Sequence, residues 1–525
     1  MTVEYDLVVI GGSTAGVYAA TAAAQMKARV ALVNPQLSGT PAMVPEKSGY
    51  RHKDCLLQVV RVGGVAQRLR ERAGLGFGIN VPATERIPSK VRSISRFPTY
   101  SEKVNVPAVR DSECGEESNA RGMQFADAQQ WAATVESTLQ SQQEPALLAS
   151  LGVDVIIDRG EFVYHRNQPV FAVSDRRLRA SAYLIATGSS PDVPDLEGLL
   201  STGYVTTETL GSLEKLPETL VVIGSDAVGV ELGQTLARLG SRVTLVVSSP
   251  QIFPKEDPEA GQLIQAQLEA EGIKVLTQTE VTQAQMLENK KWIQAGNKAI
   301  EADEIFLAMG QRVGDVACLN LEAVGVKWNA RCIQTNQKLQ TTNPRIYACG
   351  DIIGGYRFGH LAIYEAGIAL KNALFLPRFN VDYLPIPWAI FSSPELARVG
   401  LTEAQARRRY GKDVLAVRQY FKTVDAAVIR GETTGFCKLI GRRNGKILGA
   451  TIVGPAASES IGTFALAMGQ KIKLGSLNLD AIVRPTLSEI ISQTALEWRR
   501  ERFTHNTRKQ NFLETFFNLR RSWSN

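Results

Sequence analysis

At 525 residues the chain is too long for one hydrophobic core, so two to four domains are expected. Its composition, 44% apolar and 21% charged, is that of a globular protein, and no apolar run reaches the roughly 18 residues a membrane span requires. The net charge of +7 is concentrated at one end: residues 498–525 hold seven Lys/Arg against two Glu, a surplus of +5, so the body is nearly neutral and charge gives no argument for nucleic acid as a partner.

The opening MTVEYDLVVIGG enters a strand pattern without a basic, apolar and cleavable leader, and a cytoplasmic location is expected. Residues 5–34 then read strand, turn, helix, strand. YDLVVI is a continuous apolar run of the kind a parallel sheet covered on both faces requires. GGSTAG is the turn, VYAATAAAQMK a helix of small residues and ARVALVN the next strand. Residues 56–74 read as helical, and about 82–122, rich in Pro, Ser, Glu and Arg, read as a surface insertion. Residues 124–151 read as helical again, and 153–191 alternate like antiparallel strands. The strand–turn–helix–strand unit recurs at 219–248, which predicts two dinucleotide-binding units in one chain. Strands and helices mix from 386 to 498, with no phosphate loop. Six cysteines (Cys55, Cys114, Cys318, Cys332, Cys349, Cys437) lie far apart, with no Cys-x-x-Cys, and the four histidines form no cluster. A disulfide framework and a metal site are not expected.

In the first turn, Gly11, Gly12, Ser13, Thr14, Ala15 and Gly16 approximate the G-x-G-x-x-G pattern. Gly11 makes the tight turn and Gly16 lets the helix pack on the sheet, so that the helix N-terminus offers amides to a pyrophosphate. Ser13 takes the place of closest phosphate approach, with a hydroxyl able to donate. Asn34 ends the second strand, where an acid normally grips a ribose; its amide is a weaker acceptor. In the second turn Gly224 and Gly229 are kept, but Asp226 stands at the middle glycine. A carboxylate beside a pyrophosphate costs about 4 kcal/mol per charge pair at ~4 Å and an effective dielectric of ~20. Val247 ends the following strand where an acid would read NAD, and no arginine follows to read a 2′-phosphate. This site is read as degenerate, and NAD(P)H as a doubtful donor.

Two later stretches, ATGSSP at 186–191 and RIYACGD at 345–351, stand in an order and at distances that resemble the flavoprotein disulfide reductases. That family includes dihydrolipoamide dehydrogenase, glutathione reductase and mercuric reductase. The likeness continues through IPWAIFSSPELARVGLTEAQA and GETTGFCKLIGRRNGKILGATIVGPAASE to RPTLSEII, covering about residues 3–498. It implies an α/β homodimer with two Rossmann-like dinucleotide-binding domains and an α+β C-terminal dimerisation domain. The divisions would be 1–195 with 311–384 for FAD, 196–310 for an NAD(P)-like domain, 385–498 for the dimer interface and 499–525 for a basic tail. By this resemblance FAD is the cofactor, with Ala186, Thr187 and Gly188 at its site. Asp351 would hold the ribityl chain beside Gly350, and Leu361 and Ala362 would lie beside the isoalloxazine. Glu231 resembles the family's partner for a lysine near the flavin.

The redox-active pair of the family is missing. LSGTPAMVPEK, at 37–47, aligns with its L-G-G-T-C-x-x-x-x-C stretch and puts Pro41 and Glu46 at the two cysteines. A rival alignment on SGYRHKDC puts Tyr50 first and Cys55 second, which still leaves at most one sulfur. The family's His-Pro-Thr-x-x-Glu pair becomes Arg484 and Glu489, and arginine cannot shuttle protons at neutral pH. Disulfide reduction is therefore not expected, and no catalytic residue is assigned. Three functions remain open. One is an FAD-dependent oxidoreductase passing electrons directly to a small acceptor such as a quinone. Another is a flavoprotein reduced by an electron-carrier protein such as ferredoxin, docked on the basic insertion (Arg86, Lys90, Arg92, Arg96). The third is a non-catalytic FAD-binding or scaffold homodimer. In the tail, Phe512, Phe516, Leu519 and Trp523 form one helical stripe. That stripe must meet either protein or lipid, and docking on the partner or on its own chain is the favoured reading over peripheral membrane contact.

Overall fold

The computed structural model describes residues 3–34, 125–141, 145–166, 168–314, 316–477 and 482–523. The cysteine-replacing loop at 37–47, Tyr50, Cys55 and the insertion at 82–122 lie outside them.

The first sheet is built from β1 (Tyr5–Ile10), β2 (Val30–Val33), β3 (Val153–Ile156), β4 (Ala180–Ile185) and β5 (Ile346–Ala348). Its spatial order is β5-β4-β1-β2-β3, and every pairing is parallel. In β1, Leu7, Val8 and Val9 are fully buried and Ile10 is 3% exposed, because the sheet is covered on both faces. One cover is α1 (Thr14–Gln25), which meets the sheet through Ala15, Ala19, Ala20 and Ala23. The other includes the core of Phe162, Phe171 and Tyr183, whose rings meet edge to face. Each such side chain contributes roughly 1.5–3 kcal/mol on burial, so a polar residue in this run would be selected against by packing alone. Two of the strands expected to be antiparallel, at 153–156 and 180–185, belong to this parallel sheet. Only Gly160–His165, Gln168–Val173 and Arg176–Leu178 form the antiparallel set between them. The helical stretch before them divides into Phe125–Ser141 and Pro145–Ser150.

The second sheet, again parallel, contains β6 (Thr219–Ile223), β7 (Arg242–Val246), β8 (Lys274–Leu276) and β9 (Glu304–Leu307), with α2 (Ala227–Leu239) following β6. The chain enters and leaves this unit side by side, where Ser189–Pro191 pairs antiparallel with Gln311–Val313. The third sheet has five antiparallel strands between Pro387 and Gly454, covered by α4 (Ala457–Gly469) and α5 (Glu489–Thr504); α3 (Gly359–Leu374) lies between second and third sheets in sequence and packs on α1. The expected break at residue 498 falls inside α5, since Trp498 is fully buried and the helix continues to Thr504.

A cluster of buried charges locks the third sheet to the second unit. Lys438, 3% exposed, places Nζ 2.6 Å from Glu403 Oε2, 2.7 Å from Glu259 Oε1 and 3.4 Å from Asp257 Oδ1. Arg398, 2% exposed, donates from Nε to Glu256 Oε2 at 2.6 Å and lies 4.9 Å over the Trp388 ring. Removing one member of such a pair leaves a charge desolvated without compensation. Glu256→Ala is expected to cost about 3 kcal/mol, read as a lower urea midpoint. Arg500→Ala, which breaks an exposed pair with Glu497, should cost less than about 1 kcal/mol.

Candidate functional site

The carboxyl ends of β1, β4 and β5 converge where the strand order turns back, the place at which open parallel sheets bind ligands. Gly11 turns the chain at φ +105, and a Cβ there would come 2.5 Å from the Ala186 carbonyl oxygen. At Gly16 a Cβ would come 2.0 Å from the Gly11 oxygen, so only glycine lets α1 start this close to the strand. Ser13 caps α1, as its type and extended backbone favour. Its hydroxyl donates to the Ala186 oxygen at 2.6 Å and accepts from the Gly16 amide at 3.4 Å. The carbonyl that follows β4 thus takes the hydroxyl proton. Among the described residues nothing accepts from the Thr14 and Ala15 amides, and these are the groups the helix start presents to an anion.

The other candidates gather around this turn. Asn34, 4% exposed, lies across Gly12, where a Cβ would fall 2.1 Å from its Nδ2. Gly350 has φ +77, with Ala362 and Ala15 at 3.3 and 3.7 Å from the position of a Cβ, so the three segments close on one another. Ser189 donates to Asp351 Oδ2 at 2.7 Å and fixes that carboxylate, while Oδ1 receives no hydrogen bond from a described residue. Gly188 has φ +78, and Leu361 and Ala362 open the first turn of α3. This arrangement fits the ribityl and pyrophosphate of a dinucleotide: small residues, free amides at a helix start and an oriented carboxylate.

Sequence reasoning missed two members. Glu365, 3% exposed, accepts from the Gly350 amide at 2.7 Å and from the Tyr383 hydroxyl at 3.0 Å. Burial raises its carboxyl to about 7; the nearby Asp351 charge adds to this, and the two hydrogen bonds oppose it. The available signal was an acid one helical turn after Leu361 on an otherwise apolar face. Ser189 stood inside a quoted motif, but nothing local singled it out.

The second turn differs. Gly224 has φ +117, and a Cβ would come 2.1 Å from the Ala308 oxygen; at Gly229 it would come 2.4 Å from the Ala308 Cβ. Asp226 caps α2, and its Oδ1 accepts from the Ala227 amide at 2.9 Å. The carboxylate thus both repels an anion and takes one of the amides that would bind it. Val247 is fully buried in the core around β6 and β7 rather than displayed at a ribose. Glu231 and Gln234 on α2 serve as tethers. Glu231 Oε1 accepts from the Phe391 amide at 2.8 Å, and Gln234 exchanges two hydrogen bonds with the Ser393 backbone, at 2.7 and 2.8 Å. In the third sheet's region, Arg484 Nε lies 3.2 Å from Glu489 Oε2, so the arginine is ion-paired where an acid–base histidine is expected. A cleft lined by Tyr356, Phe358, His360, Leu361, Trp388 and Arg398 opens beside the first turn of α3. Among the described residues no His, Cys, Asp and Glu side chains group as a metal site.

The sequence model of the family described as pyridine nucleotide-disulphide oxidoreductase matches residues 5–366, and that of its dimerisation domain matches 386–495. Mercuric reductase of Staphylococcus aureus is 32% identical over 373 residues, 70% of this chain and 67% of that protein. The match to the Bacillus cereus mercuric reductase spans 58% of that enzyme. Dihydrolipoyl dehydrogenase of Geobacillus stearothermophilus is 31% identical over 423 residues, 78% of this chain and 86% of that one. Among solved structures, the HOCl-induced flavoprotein disulfide reductase RclA of Escherichia coli superposes with TM-score 0.74 at 22% identity, covering 94% of this chain and 99% of that one. LpdA of Mycobacterium tuberculosis superposes with TM-score 0.75 at 22% identity and the same coverage. At that identity the likeness concerns the fold.

The raised Glu365 carboxyl gives a pH signature. A group whose folded value of about 7 lies above its ordinary 4.5 stabilises the fold most below about pH 4.5 and loses that contribution as pH rises to 7. Between pH 5 and 8 the wild type should lose stability relative to Glu365→Gln, by of order 3 kcal/mol in total, and parallel unfolding curves across that range check it.

Proposed function

The chain belongs to the pyridine nucleotide-disulphide oxidoreductase family, and on that premise we propose that it is an FAD-dependent oxidoreductase without disulfide chemistry, delivering electrons from the flavin directly to a small acceptor of the quinone class. The observation that carries this reading is the Arg484–Glu489 ion pair. A guanidinium held by a carboxylate keeps its proton at neutral pH, so it cannot protonate a leaving thiolate as the family's histidine would. The residues at 41 and 46, or 50 and 55, point the same way, since neither alignment leaves a thiol pair.

Bound FAD supplies two-electron acceptance and release of electrons singly or in pairs. This chain's residues do the holding. The Thr14 and Ala15 amides would receive the pyrophosphate, Asn34 the adenosine ribose and Asp351, oriented by Ser189, the ribityl hydroxyls. Glu365 and Tyr383 position the Gly350 backbone against this site. The cleft beside Leu361 offers flat apolar walls, with the Phe358 and Trp388 rings 11° from parallel, to a planar acceptor. We assign residues 1–195 and 311–384 to the flavin unit and 196–310 to a nucleotide-like unit. The matched dimerisation domain supports a homodimer.

One observation favours a second reading of the donor. With Asp226 capping α2, an electron-carrier protein suits the site better than NAD(P)H.

Purified protein is expected to be yellow, with about one FAD per chain released on denaturation, and to show no turnover of lipoamide or oxidised glutathione. A colourless protein that takes up no added FAD, or measurable disulfide turnover, would overturn the reading. If NADH and NADPH bleach the flavin slowly, Asp226→Gly should speed the bleaching at least tenfold in stopped flow, equivalent to about 1.4 kcal/mol. An unchanged rate would shift the cause to the buried Val247.

A further inference from the structure

The last helix, α6 (Thr507–Trp523), has no buried residue. Relative exposures are 68% at Phe512, 48% at Phe516, 51% at Leu519 and 83% at Trp523. Among the described residues nothing covers this stripe, so docking on the described part of its own chain, one form of the sequence expectation, is not what the fold contains. The helix is held by a different side. Gln510 donates to the Phe503 and Thr504 carbonyls, both at 3.0 Å, at the end of α5, and Leu513 is half-buried.

Three of the four cations of α6 border the stripe. At about 100° per residue, Phe512, Phe516, Leu519 and Trp523 fall in an arc of about 60°. Arg508 borders one edge and Lys509 and Arg520 border the other, while Arg521 and Glu514, the helix's single acid, lie on the far side, about 160° and 180° from Trp523. A helix whose aromatic stripe is edged by cations, with its acid turned to the far side, is complementary to a surface that is apolar below and anionic at its boundary. A second copy fits less well. Antiparallel pairing of the stripes about a two-fold axis brings like edges together, so the Lys509–Arg520 edge of one copy would lie against the same cationic edge of the other.

We propose that α6 lies along an anionic lipid bilayer, with Phe512, Phe516, Leu519 and Trp523 at headgroup depth and Arg508, Lys509 and Arg520 among the lipid anions. Contact is peripheral, since no described helix is long and apolar enough to cross. The inference stands apart from which acceptor the flavin serves.

The test is co-sedimentation of the full-length protein with phosphatidylcholine vesicles, with and without phosphatidylglycerol. Binding is expected only with phosphatidylglycerol and should weaken as salt rises. The combined variant Phe512→Ser, Phe516→Ser, Trp523→Ser should bind at least tenfold more weakly, with dimer mass and melting temperature unchanged. Arg508→Gln, Lys509→Gln and Arg520→Gln together should also weaken it at least tenfold. The proposal is overturned if the wild type stays in solution with phosphatidylglycerol vesicles, or if either variant binds as the wild type does. It is also overturned if the serine variant dissociates the dimer or melts lower, which would assign the stripe to a protein contact.

Discussion

The Ser13 hydroxyl sits between two structural elements that are far apart in sequence, donating to the carbonyl that ends β4 and accepting from the first turn of α1. This contact is short only because Gly11 and Gly16 lack side chains that would strike Ala186 and the Gly11 carbonyl. Once it forms, the start of α1 is fixed over the strand ends, and Gly350, closing against Ala15 and Ala362, has one place to go. The ligand crevice is thus a consequence of backbone approach, with side chains added at its rim.

The two turns show how one substitution redirects the same local physics. Both helices begin with a cap in extended conformation, and both caps satisfy a backbone amide. A cap of either kind is worth about 1 kcal/mol to its helix. Serine does this while staying neutral, which leaves the helix dipole available to an outside anion. Aspartate brings the anion with it, so the dipole is already compensated from within. Stability is served equally and recognition is not.

What could be read beforehand followed from local rules. Continuous apolar strands, glycines at the turns and the repeat of the β–α–β unit each have short-range causes, and the structure contains them. What was not legible has long-range causes. Val153–Ile156 and Ala180–Ile185 are short enough that alternation and two-sided burial give similar patterns, and their pairing with β2 and β1 depends on residues over a hundred positions away. That the Ser13 hydroxyl reaches the Ala186 carbonyl depends on a strand 173 residues later. Val247 belongs to a core assembled from several elements. Glu365 has meaning only beside Gly350 and Tyr383, and no spacing rule connects the three. The tail stripe was legible from periodicity, but the side that meets α5 was not, since it is chosen by Gln510 and two carbonyls.

The charge cluster at Lys438 and Arg398 has a consequence for recombination among relatives. Glu256, Asp257 and Glu259 belong to the segment leading into the helix Pro258–Ala270, whereas Lys438 and Arg398 belong to the third sheet, so the two halves of the network are inherited on separate stretches of chain. A chimera that joins this third sheet to another protein's nucleotide unit would bury Arg398 without Glu256 and leave Lys438 with Glu403 alone. The functional module for grafting is therefore discontinuous: residues 254–260 must travel with 386–504, although a crossover between them looks harmless along the sequence.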